Sequence, residues 1–571
     1  MDTMTRIAAL AAECMSTLWP DAEGLPSAEE LRGLLAVPPD PALGDYAFPC
    51  FRLAKPLRTA PPKIAEALCS AWTRTDVAEV RPVNGYMNFF LNRVNFAAET
   101  MAVLREQGDR YGSSDIGNGK TICLDYSSIN IAKRFHIGHL STTMIGHSLK
   151  RIYDFLGYTT VGINHLGDWG TQFGKMICAY KKWGTREEVE QGGIDAMTAL
   201  YVRFHEEAEK DPSLEEEGRA WFKRIEDGDP EALEIFNWFK DVTLRDAARV
   251  YDMLGVTFDS YAGESFYIDK MEPVIQELRD KGLLTQSEGA WVVDLSEDNM
   301  PPCLILKKDG ATIYATRDIT AAIYRQNTYH FDKCLYVVAY QQDLHFRQIF
   351  RVLEKMGYPW AKDCVHVSFG MVSFEGEALS TRKGNVVHLD DLLNQSIEKA
   401  LEIIREKSPD LPDKETVARQ VGIGAVIYTD LSSNRIKDID FCWDRALNFD
   451  GESGPYVQYT HARCCSLLRK AGDQSAEPDW SALTDDEAQA LLRLISRFPD
   501  VILEAAAKYE PSMITRAVTD IAQAFNKYYY EHRILDGEPA EAAARVALTD
   551  ATRRVIRTGL WLIGIEAPER M

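Results

Sequence analysis

The sequence predicts a doubly wound α/β domain that follows a small α+β unit and precedes an all-α bundle. Residues 121–124 (TICL) form a short apolar run, which is typical of a buried parallel strand. After two histidines, apolar residues recur on one helical face until Gly157, and a second strand pattern covers residues 159–164. This succession of strand, helix and strand is the unit of a parallel sheet with helices on its faces. After Leu389 the pattern is almost wholly helical.

The length and composition are those of an ordinary globular protein with several domains. The chain has 571 residues, of which 46% are hydrophobic and 26% are charged. This is enough for roughly three or four domains. The formal net charge of −22 argues against a protein that coats nucleic acid non-specifically. It leaves specific RNA recognition open, because RNA is recognised by shape, stacking and base edges as well as by phosphate charge.

The cysteines and the hydropathy predict a cytoplasmic protein. The 11 cysteines are scattered without a C-x-x-C spacing, so they indicate neither a structural metal nor a disulfide framework. They are typical of small buried side chains in a reducing compartment. No apolar run has membrane-spanning length, and the N-terminus leads into a mildly amphipathic helix. We therefore expect neither a membrane anchor nor a signal peptide.

Residues 1–117 are predicted to form the α+β unit. Its elements follow from the periodicity of apolar residues: helices near 3–18 and 62–74, a proline-rich turn at 38–41, and strands around Val80 and over 86–91. The turn Gly117-Asn118-Gly119 then marks the start of the α/β domain.

Residues 118–394 are predicted to form the α/β domain, with a charged helical insertion at about 184–258. Strand patterns return after the insertion at four places: 291–293, 303–306, 335–338 and 365–368. Residues 395–571 are predicted to form the bundle. Three segments there show the helical period: 495–507, 513–530 and 542–563.

The turn between the first strand and its helix carries two histidines, in residues 135–140 (FHIGHL). A helix start offers unpaired N–H groups and a positive dipole end. Imidazoles such as His136 and His139 can donate hydrogen bonds to a phosphate whose charge grows in the transition state. Gly138 lets a flat base lie against the backbone. The alternative is that two histidines fall together by chance on a surface turn.

A second chemical feature is the basic loop at residues 378–385 (ALSTRKGN). The Ser380 hydroxyl and the cations Arg382 and Lys383 can face the oxygens of a leaving pyrophosphate, while Gly384 gives the loop freedom to close. The alternative is an ordinary solvated loop.

A histidine turn and a late cationic loop in one α/β domain form the pattern of class I aminoacyl-tRNA synthetases. The sequence then resembles arginyl-tRNA synthetase on five separated runs: 125–133 (DYSSINIAK), 165–174 (HLGDWGTQFG), 314–318 (YATRD), 380–385 (STRKGN) and 567–571 (APERM). The resemblance covers essentially the whole chain. It implies a Rossmann-like catalytic domain, an N-terminal domain that contacts the tRNA elbow, and a C-terminal helical domain that contacts the tRNA stem and binds the anticodon.

The resemblance also implies the reaction. L-arginine and ATP, accompanied by Mg²⁺, form arginyl-adenylate and pyrophosphate, and the arginyl group moves to the terminal ribose of tRNA for arginine with release of AMP. No side-chain nucleophile is required. The residues implied at ATP are His136, Gly138, His139 and Ser380, and those implied in catalysis are His136, His139, Lys133, Ser380, Arg382 and Lys383. A structural metal is not expected, and a monomer is.

Arginine carries a planar guanidinium that demands carboxylate partners. Tyr314 and Asp318, one helical turn apart, and Glu264 match family positions that receive this group. The resemblance places the other contacts with arginine at Ser128, Ile129, Asn130, His139 and Gln342. Taken alone, an acid such as Asp318 is more often a surface charge or a helix cap than a ligand.

Some residues depart from the usual family pattern. Asp125 stands where Glu is usual, and Ile129 stands where Pro is usual. Ala378 and Thr381 replace the two lysines of the common class I loop. Lys133, just ahead of the histidine turn, resembles the cation that compensates for them. The alternative for Lys133 is a solvated loop residue.

Aromatic and amide side chains are the predicted tRNA contacts. Tyr86 and Asn88 fall near family positions that read a D-loop base, although a half-buried strand aromatic with an exposed neighbour would show the same pattern. Residues 526–533 (NKYYYEHR) resemble the anticodon-binding helix. Successive tyrosines cannot share one helical face, so at least one is expected to be exposed and free to stack on a base. The implied contacts in this part are Tyr529, Tyr530 and the terminal Met571.

Two rival functions remain at this point. One is a synthetase for another amino acid, and the other is a catalytically silent, RNA-binding paralogue that keeps the fold as a scaffold. The intact histidines and the Tyr314 and Asp318 pair argue against both, and an arginine-dependent charging assay discriminates all three.

Overall fold

A computed structural model describes residues 3–308, 310–378, 387–473 and 475–571. The described residues group into two compact units. One combines the N-terminal part with Cys464–Pro499 and Asp520–Val555, and the other combines Gly112–Arg463 with Asp500–Thr519 and Ile556–Met571. No helix in the described part of the chain is both long and apolar enough to cross a membrane.

The N-terminal part has the predicted α+β character. Its elements in chain order are α1 (Thr3–Leu18), α2 (Ala28–Leu34), β1 (Tyr46–Pro49), α3 (Ala54–Leu57), α4 (Pro61–Ala71), β2 (Ala78–Val83), β3 (Tyr86–Leu91) and α5 (Arg93–Gln107). The strands form an antiparallel sheet in the order β1-β3-β2. Asn84 and Gly85 join β2 to β3 with φ values of 52° and 81°. Such a pair of left-handed residues matches the twist of a tight hairpin.

The α/β part begins with the predicted strand, helix and strand: β4 (Thr121–Asp125), α6 (Leu140–Phe155) and β5 (Thr159–Ile163). The helices and strands that follow are α7 (Thr171–Trp183), α8 (Arg186–Lys210), α9 (Ser213–Glu226), α10 (Pro230–Leu254), α11 (Met271–Asp280), β6 (Leu284–Ser287), β7 (Ala290–Val293), β8 (Cys303–Leu306), α12 (Tyr314–Tyr329), β9 (Lys333–Tyr336), α13 (Asp343–Lys355), β10 (Cys364–His366), β11 (Val372–Phe374) and β12 (Glu377–Ala378). The insertion is helical as predicted, since α8, α9 and α10 fill it.

The main sheet is parallel and doubly wound. Its order is β10-β9-β4-β5, and β4 pairs in parallel with both β5 and β9. Only two of the four later strand patterns join this sheet, as β9 and β10. The other two, β7 and β8, form a separate antiparallel sheet with β6. Periodicity marks a strand but does not name its partner.

The C-terminal part is helical, with one short strand. Its elements are α14 (Leu389–Lys407), α15 (Lys414–Leu431), β13 (Ile439–Phe441), α16 (Trp443–Ala446), α17 (Gly454–Ala471), α18 (Asp486–Lys508), α19 (Ser512–Glu531) and α20 (Pro539–Leu562). The strand β13 pairs in parallel with β11. The three predicted helical periods correspond to α18, α19 and α20.

Helix α6 carries the histidine turn at its start and is buried along most of its length. The Ser148 hydroxyl donates to the Leu562 carbonyl at 2.8 Å, and the Ser141 hydroxyl donates to the buried carboxyl of Asp430 on α15 at 2.5 Å. A side chain at Gly146 would meet the Tyr126 ring, because an added Cβ would lie 2.3 Å from it. The helix that presents the turn is therefore fixed on several sides.

Candidate active site

The candidate residues follow the carboxyl ends of the parallel strands. The chain builds the sheet outward from β4 to β5 and then returns to place β9 on the other side of β4. Ligands of doubly wound sheets bind at such a switch point, beyond the strand ends. Asp125 ends β4, His165 follows β5, and Gln342 follows β9. The sheet topology therefore brings segments that are far apart in sequence to one edge.

The loop after β4 has an unusual backbone. Ser127 and Ser128 have φ values of 70° and 46°, in the left-handed region that non-glycine residues rarely adopt. Asp125 Oδ1 accepts a hydrogen bond from the Ser128 hydroxyl at 2.8 Å, and its Oδ2 pairs with Arg325 at 2.8 Å. The buried Ser127 hydroxyl lies 2.8 Å from the Tyr251 hydroxyl. Side-chain contacts thus hold a backbone shape that local preference would not select.

The next run of the loop is held against the segment after β5. The Ile129 carbonyl accepts a hydrogen bond from the Gly167 N–H at 2.9 Å, and Ile129 itself is buried. Asn130 is exposed, and a Cβ at Gly167 would lie 2.4 Å from Asn130 Oδ1. The glycine of the HLGDWG run is therefore needed for close approach to the Asn130 amide.

The two histidine rings lie against each other at the start of α6, tilted by 39°. His136 Nδ1 accepts from the Gly138 N–H at 3.1 Å, and His139 Nδ1 accepts from the His136 N–H at 3.2 Å. Their ring centroids are 3.9 Å apart. Because Nδ1 accepts in each ring, the proton of each neutral imidazole sits on Nε2, which is then a donor. A side chain at Gly138 would crowd the His136 ring, at 2.9 Å.

Both histidines are neutral at pH 7. Burial, with smaller contributions from His388 and Lys133, lowers the pKa of His136 to about 4. Burial and the neighbouring His136 lower the pKa of His139 to about 3. Each ring can therefore donate a hydrogen bond without bringing a full positive charge, and the site does not depend on a histidine titration near pH 7.

Residues 379–386 lie outside the described part of the chain, and they include three candidate residues: Ser380, Arg382 and Lys383. The segment directly after them is bonded to the histidine turn, since the Ile137 N–H donates to the Val387 carbonyl at 2.9 Å. Lys133 is exposed in the segment that precedes the histidine turn, and it is close enough to lower the pKa of His136.

Asp318 and Tyr314 lie one turn apart on α12, as predicted. His345 donates to Asp318 Oδ2 at 2.7 Å, and His165 Nε2 lies 3.7 Å from Oδ1. Burial alone would raise the pKa of Asp318, but the hydrogen bond from His345 and the charge of His165 bring it below its usual value. Tyr314 is 58% exposed, with its ring 5.3 Å from that of His345. The ionised carboxylate and the open ring are suited to a planar cation.

Glu264 is the second carboxylate of the site. Burial raises the pKa of Glu264. The charge of the Arg317 guanidinium, which lies 3.6 Å from the Glu264 carboxylate, opposes this rise. Its segment is anchored by the buried Asp168, which accepts from the Ser265 N–H at 2.8 Å and pairs with Lys240 at 2.6 Å. The Asp318 charge also raises the pKa of Glu264, so the two carboxylates are close enough to interact.

Sequence reasoning missed five residues that contact the candidate ligands or their segments. Asp168, His165, His345, Arg317 and Arg325 had no assigned role. The signal was partly present, because His165 and Asp168 belong to the run at 165–174 that resembles the family, and Arg317 belongs to the run at 314–318. Gln342 itself is exposed in the short turn before α13.

The predicted tRNA contacts differ in exposure. Tyr86 is half-exposed beside Phe51, at a centroid distance of 5.4 Å, but Asn88 is only 3% exposed within the sheet. The buried amide of Asn88 does not face a ligand in this conformation. On α19, Tyr528 is fully buried, and Tyr530 is 86% exposed, so the prediction that at least one tyrosine is exposed is confirmed. Met571 packs against the cluster of α14 and α15.

One group of three potential metal ligands occurs among the described residues: Asp485, Glu487 and His532. Lys527 lies 3.3 Å from Glu487, and the group belongs to the first compact unit. Nothing else there indicates a bound ion.

Three family profiles match the chain in succession. "Arginyl tRNA synthetase N terminal domain" matches residues 7–91, "tRNA synthetases class I (R), catalytic domain" matches 100–443, and "DALR anticodon binding domain" matches 457–571. The chain belongs to the arginyl-tRNA synthetase family. The family resemblance and the predicted class I fold, with its N-terminal domain and C-terminal helical domain, are thereby confirmed.

Relatives named arginine–tRNA ligase match almost the full length. The protein of Alkaliphilus metalliredigens is 54% identical over 544 residues, which cover 95% of this chain and 96% of the relative. That of Halothermothrix orenii is 51% identical over 545 residues, with 95% and 96% covered. The solved Thermus thermophilus arginyl-tRNA synthetase superposes with a TM-score of 0.83 at 26% identity, covering 99% of both chains.

Proposed function

We propose that this chain ligates L-arginine to its cognate tRNA through an arginyl-adenylate, as an arginine–tRNA ligase. The observation that carries the proposal is the placement of two kinds of group at one sheet edge. Asp318 and Glu264 offer carboxylates to a guanidinium, and the turn at the start of α6 offers neutral donors to a phosphate. An enzyme that joins arginine to the α-phosphate of ATP needs both.

Activation then needs no side-chain nucleophile. The arginine carboxylate attacks the α-phosphate of ATP in line, its oxygen forms the new P–O bond, and the bond to the β-phosphate oxygen breaks to release pyrophosphate. His136 and His139 donate their Nε2–H groups to the oxygens of the α-phosphate, where negative charge grows, and the positive end of α6 adds to this. Their neutrality at pH 7 supports this role.

The departing oxygens are assigned to the cationic loop. Ser380, Arg382 and Lys383 would hold the pyrophosphate, and Lys133 would supply a further cation from the opposite approach. The bond between Ile137 and Val387 supports this arrangement, because it ties the end of the loop to the histidine turn. Mg²⁺ binds phosphate oxygens and water more readily than protein cages, so it would arrive with ATP and neutralise charge on the phosphates.

The amino acid would lie across the ends of β4 and β9. We assign its guanidinium to Asp318, Glu264 and the face of Tyr314, and its α-amino and carboxylate groups to the loop after β4. The assigned residues there are Ser128, Ile129 through its backbone, Asn130, His139 and Gln342. Gly138 and the histidines would receive the nucleotide.

The tRNA contacts are proposed at both ends of the chain. Tyr86 would stack on a D-loop base, and Tyr529 and Tyr530 on anticodon bases. Met571 would act from the docked C-terminus. Asn88 has the weakest support, because its side chain is buried. We further propose domain boundaries of 1–117, 118–394 and 395–571, a monomer, and a cytoplasmic location.

A charging assay tests the proposal. The protein is incubated with ATP, Mg²⁺, bulk tRNA and each of the twenty amino acids in turn, and aminoacyl-tRNA is measured. Arginine alone is expected to be attached, at catalytic enzyme concentrations. Attachment of another amino acid would indicate the rival synthetase, and tRNA binding without any attachment would indicate the silent paralogue.

A further inference from the structure

Arg325 is a buried cation to which the reaction above gives no role. Its side chain is 1% exposed, and its Nη2 pairs with Asp125 Oδ2 at 2.8 Å. The guanidinium carbon lies 5.3 Å from the ring centroid of Tyr336 on β9. Burial alone would lower the pKa of Arg325, but the Asp125 charge and nearby phenols raise it well above its usual range. It is therefore a permanent charge beneath the site.

The first effect of Arg325 reaches the loop after β4. Each oxygen of Asp125 has its own partner, since Oδ2 faces Arg325 and Oδ1 accepts from the Ser128 hydroxyl at 2.8 Å. The guanidinium thus fixes the orientation of the carboxylate that restrains Ser128. Restraint is needed there, because Ser128 has a φ of 46°.

The second effect reaches the other end of the amino acid. Arg325 and Asp318 are seven residues apart on α12, which puts them on the same face, two turns from each other. The charge of Arg325 helps to lower the pKa of Asp318. The other titratable groups that act on Asp318 or interact with it are His345 from α13, His165 from the segment after β5, and Glu264.

We propose that Arg325 is a positioning residue for the amino acid substrate. Through Asp125 it fixes the loop that would receive the α-amino and carboxylate groups, and its charge lies on the same face of α12 as Asp318, which would receive the guanidinium. This inference rests on the proposed function. An ion pair that merely stabilised the fold would contribute its contact with Asp125 to stability. Its removal would not change the way in which arginine binding depends on pH.

Three variants separate positioning from stability. Arg325→Met removes the cation, Arg325→Met with Asp125→Asn removes the whole pair without leaving an unpaired buried charge, and Arg325→Lys keeps a cation without the planar fork. Arg351→Met is the control for loss of an ion-paired arginine, because Arg351 pairs with Asp298 at 2.7 Å and with Glu354 at 2.8 Å, and neither is a candidate ligand. For each, thermal stability is measured, with KM for arginine and for ATP and the pH profile of kcat/KM for arginine.

Arg325→Met is expected to raise KM for arginine about tenfold or more while KM for ATP changes less than about twofold. At pH values below the acid limb set by Glu264, its kcat/KM for arginine should also fall earlier than in the parent as the pH is lowered, because Asp318 then takes up a proton more easily. The double variant should recover stability but keep the raised KM for arginine. Arg325→Lys should keep the parental pH profile with a raised KM for arginine.

The parent protein is assayed first, so that failure of the proposed function can be distinguished from failure of the positioning role of Arg325. If the parent protein attaches no arginine to tRNA, the proposed function is refuted. If the parent is active, a parental KM for arginine in the double variant overturns the positioning role and leaves a purely structural pair. The double variant also keeps the test decisive if Arg325→Met alone does not fold. Equal defects in Arg351→Met would likewise overturn the proposal.

Discussion

Replacing Asp318 by asparagine tests the recognition of arginine most sharply. Asparagine has nearly the same shape, so α12 and its neighbours should keep their packing while the site loses one negative charge. In the parent, Asp318 is ionised at neutral pH because His345 donates to it at 2.7 Å and lowers its pKa against the effect of burial. The variant therefore changes charge and little else at the guanidinium end.

The size of the effect follows from the environment of the carboxylate. Removing one partner of a desolvated ion pair costs about 3–5 kcal/mol, which is about two to four powers of ten in affinity. The lower part of that range is expected, because Asp318 keeps 24% of its side chain exposed and Glu264 remains as a second acceptor. Affinity for ATP should change little, since the nucleotide is assigned to the turn at the start of α6.

Calorimetric titration of arginine and of ATP into Asp318→Asn measures both quantities directly. Asp269→Asn is the matched control, since Asp269 is an exposed carboxylate whose ion pair within the described part of the chain is with the neighbouring Lys270. Unchanged arginine affinity in Asp318→Asn would refute the reasoning. Equal loss of arginine and ATP affinity would also contradict it, because the defect would then be a general distortion of the site.

The histidine turn, Glu264 and Lys133 give three more tests. His136→Ala should lower kcat about a hundredfold or more with little change in KM for ATP, and a defect in KM alone would mean that His136 only holds nucleotide. Because burial raises the pKa of Glu264, kcat/KM for arginine should fall as the pH drops through that raised value, and Glu264→Gln should remove this acid limb. Lys133→Ala should slow pyrophosphate exchange, with a loss of about 2–4 kcal/mol of transition-state stabilisation. A lysine introduced at Ala378 or Thr381 should restore part of that rate. Exchange at the parental rate in Lys133→Ala would mean that Lys133 is a solvated residue.

Local patterns predicted the elements and the turn of this protein well. The apolar run at β4 and the helical period of α6 depend on neighbours a few residues away, and the structure has both close to their predicted bounds. The histidine turn and the family resemblance then predicted roles for His136, Asp318 and Glu264 in one site. These features are visible because each is encoded in a short stretch of sequence.

The contacts that orient those residues depend on pairs far apart in the chain. Asp125 and Arg325 are separated by two hundred positions, and an arginine on a helix looks like a solvated charge until its burial is known. The same holds for Asp168 and Lys240. Asn88 shows the converse case. It lies two positions after the exposed Tyr86 on β3 and was predicted to contact a tRNA base, but its side chain is buried within the sheet. Burial depends on tertiary packing, which periodicity does not give.

Arginine-dependent exchange of pyrophosphate into ATP, measured with and without tRNA for arginine, tests the central claim most directly. The exchange reports adenylate formation at the turn of His136 and His139, before any transfer to tRNA. The account predicts exchange that requires arginine and that lysine does not replace, and the comparison with and without tRNA shows whether tRNA must be bound before arginine is activated. Exchange supported equally by lysine, or no exchange with arginine and tRNA both present, would contradict it.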